Sequence, residues 1–85
     1  MRIFMQAKPA GEEQPRYYQV TLEQDLLGGW TLDREWGQPG GRISTRREIY
    51  LERDAALAAF EEVRDAQLKR GLRIMFCRGL EQHAR

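Results

Sequence analysis

Eighty-five residues, 41% of them apolar and 32% charged, fit one folded unit spanning 1–85, with a core adequate for its size but not generous. Fourteen basic and thirteen acidic side chains leave a formal charge of +1, which excludes a polycation that coats DNA indiscriminately; nucleic-acid binding would need a local patch. The single cysteine, Cys77, excludes an internal disulfide. With no secretory h-region, transit peptide or apolar run of membrane length, the expectation is a soluble cytoplasmic protein.

Along the chain, residues 2–8 alternate through Ile3, Met5 and Ala7, which predicts a short strand. PAGEEQP, residues 9–15, is polar with proline at both ends and reads as a loop or wide hairpin connection. Residues 17–25 place Tyr18, Val20 and Leu22 on one face, with Tyr17, Gln19, Thr21 and Glu23 on the other, the pattern of a half-buried strand. Gly28-Gly29 signals a turn. Residues 30–36 then alternate again, with Trp30, Leu32, Arg34 and Trp36 on one side, so the two strands form a hairpin. Residues 43–51 read as a further strand.

The period changes at residue 54. Over 54–70, Leu57, Phe60, Val63 and alanines 56, 59 and 66 share one broad helical face, opposite Glu61, Asp65 and Lys69. Asp54 is the expected N-cap. Lys69 and Arg70 suit the negative end of the helix dipole, and Gly71 suits the C′ position. RIMFCR, residues 73–78, has β character, and 79–85 read as a frayed tail. The expected fold class is α+β: a small antiparallel β-sheet of four to five strands packed against one amphipathic α-helix. The helix can cover only one sheet face, and periodicity does not say which.

The stretch Trp36-Gly37-Gln38-Pro39-Gly40-Gly41-Arg42 carries the most chemistry. A tryptophan at a strand end can stack on a sugar or base. Glycines such as Gly37 let a backbone come close to a partner, and Arg42, Arg46 and Arg47 follow as potential phosphate grips. Strand alternation points Arg42 and Arg46 together and Arg47 away. Lys69, Arg70 and Arg73 form a second basic cluster. Each feature also has a plain reading. Trp36 could fill a core corner, and the arginines could be a solvated face offset by Glu48 and Glu52.

Catalytic and metal chemistry find no support. Cys77, between Phe76 and Arg78, reads as a small buried hydrophobe. One cysteine and His83 make no metal-ligand set, and no spacing couples Ser44 or Cys77 to His83 as nucleophile and base. No phosphate loop with a following Lys-Ser/Thr occurs. Glu12-Glu13 and Glu61-Glu62 look solvated. The expectation is a non-enzyme with no cofactor and no metal.

YYQVTLEQDLLGGWTL, REWG, a glycine-bearing turn, RISTRREIY and the helix DAALAAFEEVRDAQLKRG come in an order that resembles a WGR domain over residues 17–71. The resemblance implies a small antiparallel sheet with one helix. It also implies a role like that of WGR domains in poly(ADP-ribose) polymerases, which help recognise DNA ends with the motif tryptophan at the terminal nucleotide. Free-standing bacterial versions occur. Trp36 and Gly37 match the first two motif positions. The third is Gln38 rather than arginine, which removes a planar cation; Arg42, four residues on, could swing into similar space. The favoured reading is a small stand-alone nucleic-acid-binding module, most simply for DNA, using Trp36, Gly37, Arg42, Arg46, Arg47, Lys69 and Arg70. The alternative is a protein-interaction module or adaptor working through the exposed sheet face, with Trp36, Tyr17 and Tyr50 as aromatic anchors. Oligomeric state is left open.

Overall fold

The structure, a computed structural model, describes residues 1–11 and 13–79. Its elements are β1 (Arg2–Gln6), β2 (Tyr17–Gln24), β3 (Trp30–Gly37), β4 (Ile43–Tyr50), α1 (Arg53–Lys69) and β5 (Arg73–Arg78). All five strands join one antiparallel sheet in the order β4-β3-β2-β1-β5. The α+β expectation therefore holds. The first four strands form a meander. The helix then crosses the sheet, carrying the chain from the β4 edge to the β1 edge, where β5 pairs.

The helix packs on the face that carries Ile3, Met5, Tyr18, Val20, Leu22 and Leu32. Ala56, Phe60 and Val63 meet them from α1, and the alternation and the helical stripe thus close on a single core. Leu57 and Ala59 are only partly buried, as is Trp30, which packs against the core. Ala66 faces solvent, and Gln67 takes the buried place near the helix end.

The helix ends as Schellman geometry requires. The Gly71 N–H donates to the Leu68 carbonyl at 3.0 Å and the Leu72 N–H to the Gln67 carbonyl at 3.1 Å, with Gly71 at φ 96°. The start differs from expectation. Glu52, with extended backbone, holds the N-cap position and makes no side-chain cap, while Asp54 lies in the first turn. Arg53 already enters the helix, so Asp54 sits too far inside to cap and can only complement the dipole.

The β3–β4 connection is a tight turn. Pro39 and Gly40 occupy its centre, Gly40 has φ 83°, and the Gly41 N–H donates to the Gln38 carbonyl at 2.8 Å, the signature of a type II turn. The β2–β3 turn is held by Asp25, whose Oδ1 accepts from the Leu27 and Gly29 N–H groups at 2.8 and 2.9 Å. β5 is exposed along its whole length. Cys77 is therefore exposed rather than buried, because α1 lies over the β2–β4 side of the sheet. Of the expected frayed tail 79–85, residues 80–85, including His83, lie outside the described residues, as does Glu12 of the Glu12-Glu13 pair.

Candidate functional site

Cross-strand register builds the site. Trp36 pairs with Tyr18 on β2 and Ser44 on β4; two residues on, Arg34 pairs with Val20 and Arg46. Because side chains two apart share a face, Trp36, Arg34 and Arg46 all project to the helix-covered side. There the Trp36 indole lies flat on the Tyr18 ring, with centroids 5.4 Å apart and planes 8° apart. Tyr18 is buried and Trp36 only half-buried, so one indole face is fixed and the rest of the ring stays reachable. The packing reading of Trp36 therefore holds for the ring face on Tyr18.

Beside this stack the C-terminal end of α1 leaves a cleft of about 460 Å³. Arg16, Arg34, Arg46 and Arg70 line it together with Trp36 and Tyr18. A smaller adjoining cleft of about 280 Å³ is lined by Arg16, Trp36, Gly37, Gln38 and Arg42, among others. Trp36 and Arg16 belong to both, so five arginines surround one indole.

One carboxylate reaches into this array. Glu48 accepts from Arg34 Nη2 at 2.7 Å and lies 3.5 Å from Arg46 Nη2. Burial works against the Arg34 charge, but Tyr18 and Glu48 more than offset it and keep the guanidinium charged. Its Nε is buried with no hydrogen-bond partner among the described residues, an uncompensated donor in the cleft wall. Arg46 remains 62% exposed despite Glu48, leaving much of its guanidinium open to solvent. Arg16, Arg42 and Arg70 pair with no carboxylate among the described residues.

The residues expected from sequence divide accordingly. Trp36, Gly37, Arg42, Arg46 and Arg70 come together. Arg47 points to the opposite face, as alternation implied, and is clamped by Asp33, with Nε to Oδ1 at 2.7 Å and Nη2 to Oδ2 at 3.3 Å. Lys69 is exposed on the helix and lines neither cleft. Gly37 does line the smaller cleft, but its need for glycine is internal: a Cβ there would strike the Arg42 carbonyl oxygen and lie 3.0 Å from Ile43 Cα. Gln38 does not stand in for an arginine. Its Nε2 donates to the Gln14 carbonyl at 2.7 Å and ties the β3–β4 turn to the preceding loop. Arg16 and Arg34 were not among the expected site residues. Arg34 had shown its position by alternating in phase with Trp36, whereas Arg16 enters only through the β2–β3 register.

The uncovered face has a different character. Tyr17 lies there, stacked on Phe4 at 5.8 Å, with its hydroxyl donating to Glu35 Oε2 at 2.7 Å. That bond holds the Tyr17 phenol above its ordinary pKa of 10.0. Trp36 and Tyr50 project to the other side, so the aromatic set Tyr17, Trp36 and Tyr50 does not form one anchor patch. In a broad depression of about 470 Å³ on this face, Asp33 is paired with Arg47 and Glu35 is hydrogen-bonded to Tyr17.

A family model described as the WGR domain matches residues 1–73. The chain belongs to the WGR family. The match takes in β1 as well as the 17–71 segment that carries the sequence resemblance, and it stops where β5 begins. No curated protein and no solved structure matches the chain. Within this WGR domain, Trp36 lines both arginine-lined clefts and Gly37 lines the smaller one. Among the described residues no group of three or more His, Cys, Asp or Glu side chains is arranged to hold a metal ion, and no helix is long and apolar enough to cross a membrane.

Proposed function

We propose that this WGR domain is a nucleic-acid-binding module, with no catalytic role, and that its ligand is DNA held at the Trp36 cleft. The observation that carries this reading is the convergence of Arg16, Arg34, Arg42, Arg46 and Arg70 on two clefts that share one partly buried tryptophan, against a single opposing carboxylate. Arginine guanidinium groups match phosphate oxygens in bidentate geometry, and an indole offers a flat surface for a base or sugar. Neither feature reads base edges, so little sequence preference follows. Family membership supports the same ligand class. Arg42 and Arg16, on either side of the motif tryptophan, supply the cationic character that Gln38 does not.

The test is titration of the protein into short blunt-ended duplex DNA and into closed circular DNA, at low and at raised salt. Saturable, salt-sensitive binding that favours the ends supports terminal stacking on Trp36. Equal binding to circular DNA leaves phosphate attraction alone, and absence of binding at low salt removes the proposal.

A further inference from the structure

β5, of which only Arg73 falls within the matched family segment, has an edge unfilled among the described residues. β5 pairs with β1 on one side only and ends the sheet, so among the described residues its outer backbone N–H and C=O groups have no strand partner. Its central residues Ile74, Met75 and Phe76 are 41–52% exposed. Arg73 and Arg78 stand at its two ends, and Arg2 lies opposite Arg78 on β1, with its guanidinium carbon 5.4 Å from the Phe76 ring centroid. Neither β1 nor β5 contains an acidic residue, and none of these three arginines pairs with a carboxylate among the described residues.

We infer that the β5 edge is a docking site for an extended acidic peptide, which adds as a sixth strand with its apolar residues against Ile74–Phe76 and its carboxylates at Arg73, Arg78 and Arg2. Backbone hydrogen bonding along an open edge supplies the affinity of such strand addition, and the flanking side chains supply selection. Charge decides the occupant. In-register pairing with β5 of a second copy opposes arginine to arginine at the strand ends, whether the strands run parallel or antiparallel. Pairing with β4 of a second copy sets the largely exposed Arg46 toward an edge that is already basic. Like charges directly opposite are destabilising, whereas an acidic strand is complementary at each end. The site is separate from the Trp36 cleft and does not depend on its ligand.

Fluorescence anisotropy with a short blocked peptide, acidic at both ends around a Val-Thr alternation, tests this, with a lysine-ended version as control. The wild-type protein binds the acidic peptide, and the peptide slows hydrogen exchange of the β5 amides that point away from β1. The double variant Arg73→Glu/Arg78→Glu reverses the preference between the two peptides by about ten-fold or more. Arg46→Gln/Arg70→Gln, which changes only the cleft, leaves peptide binding intact. Three results overturn the inference: no binding of the acidic peptide, binding lost in the cleft variant instead of the β5 variant, or protection in the free protein of the β5 amides that point away from β1, which would mean that the outer edge is already covered. Circular dichroism of both variants confirms that the fold is retained.

Discussion

The packing of Trp36 and its proposed contact with DNA separate by experiment. Its stack on Tyr18 contributes to stability, so Trp36→Ala is expected to cost about 1–2 kcal/mol in urea unfolding. The same variant loses the indole surface facing the cleft. DNA affinity is expected to fall by roughly 1–3 kcal/mol beyond any change in the folded fraction. A Trp36→Ala protein that is folded and binds DNA unchanged would show that the indole serves packing alone. Tyr17, on the far face, gives a second residue-scale expectation. Its hydrogen bond to Glu35 raises the phenol pKa above 10.0, so the folded state retains the proton more tightly than the unfolded chain does. The stabilisation is fully present below pH 10.0 and is lost as pH rises through the raised folded value. NMR titration of the Tyr17 ring should show its midpoint moving down in Glu35→Gln, and an unchanged midpoint would contradict the assigned cause.

At the scale of elements, the helix is the keystone of the core and its two ends behave differently. Phe60 is fully buried against the sheet, and Phe60→Ala is expected to cost about 3–5 kcal/mol in chemical denaturation. Gly71 closes the helix at φ 96° with open space around its α-carbon, so Gly71→Ala is expected to cost roughly 1–3 kcal/mol through backbone strain alone. Glu52→Asp should add stability at the other end, where no side chain caps the helix. These elements were legible in sequence because their periods are distinct: Tyr18-Val20-Leu22 alternates, and Ala56-Phe60-Val63 recurs at helical spacing. Gly71 likewise announced the helix stop. The helix start was not legible, since Asp54 and Glu52 are both acidic and only backbone geometry separates N-cap from first turn. Cys77 was misjudged because an apolar sequence context does not reveal that β5 sits at an edge beyond the reach of α1.

At the scale of the whole molecule, a near-neutral chain separates its charges by face and by end. On the open face Asp33 neutralises Arg47, and Glu35 accepts a hydrogen bond from Tyr17. The helix-covered face gathers its arginines where α1 stops. Net charge could not reveal this, because Arg16, Arg42, Arg46 and Arg70 are distant in sequence and converge only through the β2–β3–β4 register and the helix crossover. Arg47, adjacent to Arg46, is excluded by the two-residue strand period, so the pair forms a natural control. The most direct measurement is the salt dependence of affinity for one short duplex, compared between the wild type and single Arg16→Gln, Arg46→Gln, Arg70→Gln and Arg47→Gln variants. If the cleft holds phosphates, each cleft variant weakens binding and lowers the magnitude of the log–log salt slope by about 1, while Arg47→Gln leaves both unchanged. Equal losses from Arg47→Gln and the cleft variants would contradict the placement of the ligand at Trp36.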